Sequence, residues 1–155
     1  LSRLRGLGKD ASMSDLVAFH TKNKLLLMSR SQSCLRELGR IVANHENRSF
    51  GDVLDLYKKT FLKVFERQSR FTNNVNVLMH SLGYFSKMLT KDERKYFLYV
   101  LGKYRLGNLP ISVPVGIIRS FIVRFGEKYL ASQTYFNPYP EELEEIADSG
   151  KGRNY

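Results

Sequence analysis

The sequence has 155 residues, 43% of them hydrophobic and 26% charged, with ten Phe, nine Tyr and no Trp. Such a make-up fits one globular domain able to remove roughly 68–70% of its unfolded surface from water, and it excludes a low-complexity or disordered chain. Twenty-five Lys and Arg against 15 Asp and Glu give a net charge of +10, and the lone Cys34 excludes an internal disulfide, a structural zinc site or an iron–sulfur cluster built from these residues alone.

No apolar run approaches the roughly 18 residues of a membrane span, and no signal-peptide core opens the chain. A soluble, cytoplasmic protein without a membrane partner or a cofactor is expected. Residues 1–13 read as a linker or flexible leader. The first helix is expected from about Asp15 to Ser29 or Arg30, opened by Ser12 or Ser14, with Leu16, Phe19, Leu26 or Leu27 and Met28 on its apolar faces. A second runs from Gln32 to Ala43. Ser49 and Asp52 form a variant capping box for a third, reaching about Gln68, whose buried stripe is Val53, Leu54, Tyr57, Phe61, Val64 and Phe65.

Thr72 opens a fourth helix through about Met88. Thr90 and Glu93 form a capping box for a fifth that Gly107 terminates. The two prolines between Asn108 and Pro114 demand a turn or extended chain before a sixth helix, Val115 to about Phe125. A short seventh element lies around Glu127–Gln133, followed by an aromatic loop from Tyr135 to Tyr139. Residues 140–155 read as an acidic C-terminal helix and tail. No alternating pattern calls for a strand, so the expected fold is all-α: a compact single-domain bundle of six to seven helices, without a sheet, over residues 14–139.

Charge is unevenly spread. Residues 1–139 hold 23 basic and 10 acidic side chains, net +13, whereas residues 140–155 hold two basic and five acidic ones, net −3. A body of that sign attracts polyanions. On the third helix Lys59, Lys63, Arg67 and Arg70 recur at intervals of four, four and three and share one face, with Lys58 at its edge. Arg105, Arg119, Arg124 and Lys128 extend the candidate nucleic-acid-binding set. Contact between phosphates and six such cations implies a slope of log affinity against log salt on the order of −4 to −5. The alternative is a merely solvated cationic face.

The fourth helix carries a polar line through Asn73, Asn76, His80 and Lys87. Asn76 and His80 are one turn apart, as are His20 and Lys24 on the first helix, so the four meet in one pocket if those helices pack together. His20 and His80 are the candidate acid–base residues; core or helix-contact histidines are the alternative. His20, His45 and His80 lack a metal-binding spacing, and the chain offers no Gly-rich phosphate loop or nucleophile elbow. Cys34 at a helix start reads as an inert thiol before a nucleophile.

Several motifs then fall in order: Leu16-Val17-Ala18-Phe19-His20 with Lys24 and Met28; Asn76-Val77-Leu78-Met79-His80 with Gly83-Tyr84-Phe85; Tyr104-Arg105 with Gly107, Pro110 and Pro114; and Tyr129-Leu130 with Gln133, Tyr135 and Phe136. Over residues 14–139 this pattern resembles the YbgA-like domain of unknown function. The resemblance implies a domain that occurs alone or fused behind a cysteine-rich desulfidase resembling thiouracil desulfidase, where it holds transfer RNA whose 4-thiouridine is desulfurated. It carries over His20, Lys24, Asn76, His80, Tyr84, Arg105, Gln133 and Tyr135 as a motif pocket. Lacking the cluster-binding cysteines, this chain cannot itself perform that reaction.

The function expected is a non-catalytic module that binds structured RNA, transfer RNA before DNA, mainly through phosphates, as an accessory to thiouridine desulfuration. Two alternatives stand beside it: an enzyme acting on a nucleotide or nucleic acid through His20 and His80, and a protein-interaction subunit of a separately encoded desulfidase or a DNA-repair protein.

Overall fold

The computed structural model describes residue 7 and residues 11–66 and 69–137. The acidic segment 140–155, Arg67, Tyr139 and most of the leader lie outside the described residues. Among those described, the fold is all-α with eight helices and no strand: α1 (Met13–Lys22), α2 (Lys24–Arg30), α3 (Gln32–Ala43), α4 (Phe50–Phe65), α5 (Phe71–Gly83), α6 (Lys91–Arg105), α7 (Ser112–Phe125) and α8 (Lys128–Ser132).

Local chemistry explains most boundaries. Ser12 caps α1 in a reciprocal box with Asp15, Thr90 does the same for α6 with Glu93, and the Ser49 hydroxyl accepts from the Asp52 N–H at the start of α4. Gly107 and Gly126 follow α6 and α7 at φ +78° and +63°, the left-handed region open to glycine. Pro114 falls in the first turn of α7, where its missing N–H has no intrahelical acceptor, so that helix begins at Ser112, three residues before Val115. Beyond Gly83 the chain continues through tighter turns, Phe85 N–H to Leu82 O and Met88 N–H to Phe85 O, in place of the expected helix through Met88.

The expected single helix from Asp15 to Arg30 is instead two, broken at Asn23. The Asn23 carboxamide donates to Phe19 O at 2.8 Å. Fully buried Gln133 then occupies the break: its Oε1 accepts from Leu25 N–H at 3.1 Å and its Nε2 donates to Thr21 O at 2.9 Å. Next to it, Thr134 N–H donates to Lys22 O. One amide side chain thereby satisfies a buried donor and a part-buried acceptor that a broken helix leaves open.

The C-terminal end of α2 is held by the start of α5. Ser69 Oγ donates to Ser29 O at 2.8 Å, and Asn73 Nδ2 to Arg30 O at 3.1 Å. Behind them runs a directed chain: the Tyr135 hydroxyl donates to Asn74 Oδ1, and Asn74 Nδ2 to Ser69 Oγ.

Two apolar cores flank α2. Leu27 joins Leu16, Leu38, Val53, Tyr57 and Phe61 on the side of α1, α3 and α4. Leu25 joins Leu78, Leu82, Phe85, Phe97 and Ile118 on the side of α5 to α8. Residues two apart on a helix point nearly opposite ways, so α2 is buried on both sides, and Met28 touches both cores.

Candidate functional site

At the seam between the two cores lies a cleft of about 410 Å³, within the range of ligand-holding clefts. His20 from the end of α1, Lys24 from the start of α2 and His80 from α5 line it, which brings His80 to the pair that the sequence places one turn apart on its first helix. From α3 come Gln32, Leu35, Arg36 and Gly39, spaced to share one helix face. Leu25 and Met28 complete the wall. No carboxylate lines the cleft, and among the described residues Lys24 and Arg36 have none within ion-pairing distance.

His20 is the most constrained of these groups. Its Nδ1 is 3.2 Å from the hydroxyl of Tyr57, a fully buried tyrosine, and its ring meets the Tyr57 ring edge-on. Burial holds the Tyr57 phenol well above its usual range, so it keeps its proton, and Nδ1 is the acceptor the structure offers to that buried hydroxyl. The neutral imidazole then carries its own hydrogen on Nε2, the nitrogen facing Gly39. Burial first, and the positive Lys24 second, lower the His20 pKa below its ordinary value. His80 is exposed and sits edge-on to Tyr84 at 5.7 Å, and Tyr84, 40% exposed, stacks on Tyr129 at 5.7 Å. A row of rings therefore leads away from the cleft.

The other motif residues sit elsewhere, which corrects the eight-residue pocket. Gln133 and Tyr135 hold the two ends of α2. Asn76 is exposed one turn before His80 but outside the lining, and Arg105 is exposed at the end of α6. Conversely, Gln32, Arg36 and Gly39 belong to the cleft but to none of the motifs. Their i, i+4, i+7 spacing on the face of Leu35 is the signal that marks them.

The broader basic set is heterogeneous. Lys59 and Lys63 are exposed on α4 and, among the described residues, have no carboxylate at ion-pairing distance. Lys58 is half-buried and reaches the carbonyl of Leu7 at 3.5 Å. Arg70, Arg119 and Lys128 are exposed. Arg124 is engaged, paired with Glu93 and placed 4.8 Å over the Phe125 ring, so its charge is already partly answered. No group of three or more His, Cys, Asp or Glu among the described residues is placed to hold a metal ion, and no described helix is long and apolar enough to cross a membrane.

Comparison with known proteins gives two matches and one blank. The chain is 28% identical over 129 residues to the uncharacterized protein YbgA of Escherichia coli (strain K12), covering 83% of this chain and 76% of that one. No solved structure matches. A family profile described as "Protein of unknown function (DUF1722)" matches residues 24–140, which include all of the helices from α2 onward. With three quarters of its length inside that match, the chain belongs to the DUF1722 family.

Proposed function

We propose that this chain is a non-catalytic module that binds structured RNA, transfer RNA before DNA, through phosphate contacts. The observation that carries the reading is the cleft lining: two cations and two imidazoles face one volume, with no carboxylate among them. Lys59 and Lys63 add exposed positive charge, and Tyr84 adds an exposed ring beside the cleft. That combination suits a polyanion whose unpaired bases are free to stack. The desulfidase association implied by the family resemblance makes transfer RNA the proposed RNA and a separately encoded desulfidase the proposed partner.

The test is transfer RNA affinity measured across a salt series. Binding that is tight at low salt and falls steeply as salt rises supports the module; no binding at low salt, or binding indifferent to salt, overturns it.

His20 and His80 lining the same cleft favour a second reading, acid–base catalysis on a nucleotide or nucleic acid. Chemical change in a bound RNA, abolished by His80→Ala without loss of binding, assigns the chain to that reading.

A further inference from the structure

Gly39 occupies the interior of α3, where glycine is less favourable than alanine by about 1 kcal/mol. Packing does not require it. A Cβ built there meets only His20 Nε2, at 3.9 Å, which is ordinary van der Waals contact. What glycine does is leave that nitrogen uncovered. Because Tyr57 occupies Nδ1, Nε2 is the one hydrogen-bonding edge that His20 has left to offer.

The rest of the lining is divided in character. Lys24 and Arg36 provide fixed positive charge, which an apolar ligand does not need. Leu25, Met28 and Leu35 provide an apolar wall, for which inorganic phosphate has no use. A ligand matching both has an anionic end and a flat or greasy body. We propose, resting on the RNA-binding reading above, that the cleft receives a single unpaired nucleotide: phosphate toward Lys24 and Arg36, base against Leu25, Met28 and Leu35, with His20 Nε2–H donating from the Gly39 side. An unpaired nucleotide reaches such a cleft at little unstacking cost, and the neighbouring ring of Tyr84 offers the next base a surface.

The probes are a purine and a pyrimidine nucleoside 5′-monophosphate, the matching nucleosides, inorganic phosphate and a transfer RNA, each titrated into the full chain while the His20 and His80 imidazole resonances are followed by NMR. At least one monophosphate is expected to shift His20 saturably, and its nucleoside and inorganic phosphate to bind at least tenfold more weakly. Gly39→Ala is expected to weaken that monophosphate at least tenfold while raising the melting temperature, and Lys24→Ala with Arg36→Ala to weaken it without changing the helical content. No saturable shift with any monophosphate, or a Gly39→Ala protein that binds like the parent, overturns the proposal. Transfer RNA binding that persists in that case leaves the module reading standing. Monophosphate binding with no transfer RNA binding at low salt overturns the module reading instead and makes the cleft a site for a free nucleotide.

Discussion

The Tyr57 hydroxyl lies 3.2 Å from His20 Nδ1, and this pairing decides which face of the imidazole is presented to the cleft. Protonating His20 places a hydrogen on Nδ1 and leaves the buried phenol's own hydrogen without its acceptor. With the phenol as donor to a neutral ring, the pairing sets that ring's tautomer.

The tautomer is directly observable. Nitrogen-15 NMR at neutral pH should show His20 Nδ1 as the unprotonated nitrogen and Nε2 as the protonated one. Tyr57→Phe removes the donor to Nδ1, so the tautomer preference should weaken, whereas the burial and the Lys24 charge that lower the His20 pKa remain.

Stability should follow the same residue. The His20 pKa is lowered in the folded chain relative to the ordinary 6.5, so the unfolded chain binds more protons in the interval between the two values. Its contribution is fully present above about pH 6.5 and is lost as pH falls through the folded value. Denaturant midpoints measured between pH 5 and 7 should decline toward acid in the parent and decline less in His20→Gln.

Gln133→Met should be among the costlier substitutions. It preserves bulk but strips the partner from the buried Leu25 N–H and one from the part-buried Thr21 O, for a loss of about 1–3 kcal/mol. Chemical denaturation gives the figure directly. A cost below about 1 kcal/mol would mean that water reaches the break.

Lys59→Glu with Lys63→Glu should reduce transfer RNA affinity and shrink the salt slope by about 0.7–0.9 for each phosphate left without a cation, with circular dichroism unchanged. The same reversal should leave monophosphate binding in the cleft intact. Arg124→Ala, whose charge already answers Glu93, should change RNA affinity less than either lysine.

What the sequence displays and what it hides separate along physical lines. Boundaries set by adjacent residues are legible: the cap at Ser12, one of the two serines expected to open the first helix, the box at Thr90, the glycine at 107 and the span of α3 all follow from local hydrogen bonding and backbone freedom. The break at Asn23 is not, because Gln133, which occupies it, binds Leu25 from 108 residues further along the chain. The apolar spacing of Leu25, Leu27 and Met28 fits a continuous helix equally well, and only the packing shows that they face two cores.

The same division holds in the cleft. His20, Lys24 and His80 belong to the motifs and do meet, yet Gln133 and Tyr135 share those motifs and serve the framework. Composition alone cannot separate a side chain that holds a helix end from one that faces a ligand. Arg36 is inconspicuous because it stands outside any cationic stripe, and Gly39 because a glycine inside a helix shows its purpose only once His20 is placed beside it.

A helix of seven residues is far too short to persist by itself in water. α2 is ordered because Gln133 and Asn73 hold its ends and because Leu25 and Leu27 anchor it in opposite directions. Neither half of the protein can melt first without stripping one side of that helix from the other half. Heating should therefore give one calorimetric peak, and any molecule seated along the seam should move that peak as a whole, tightening both halves at once.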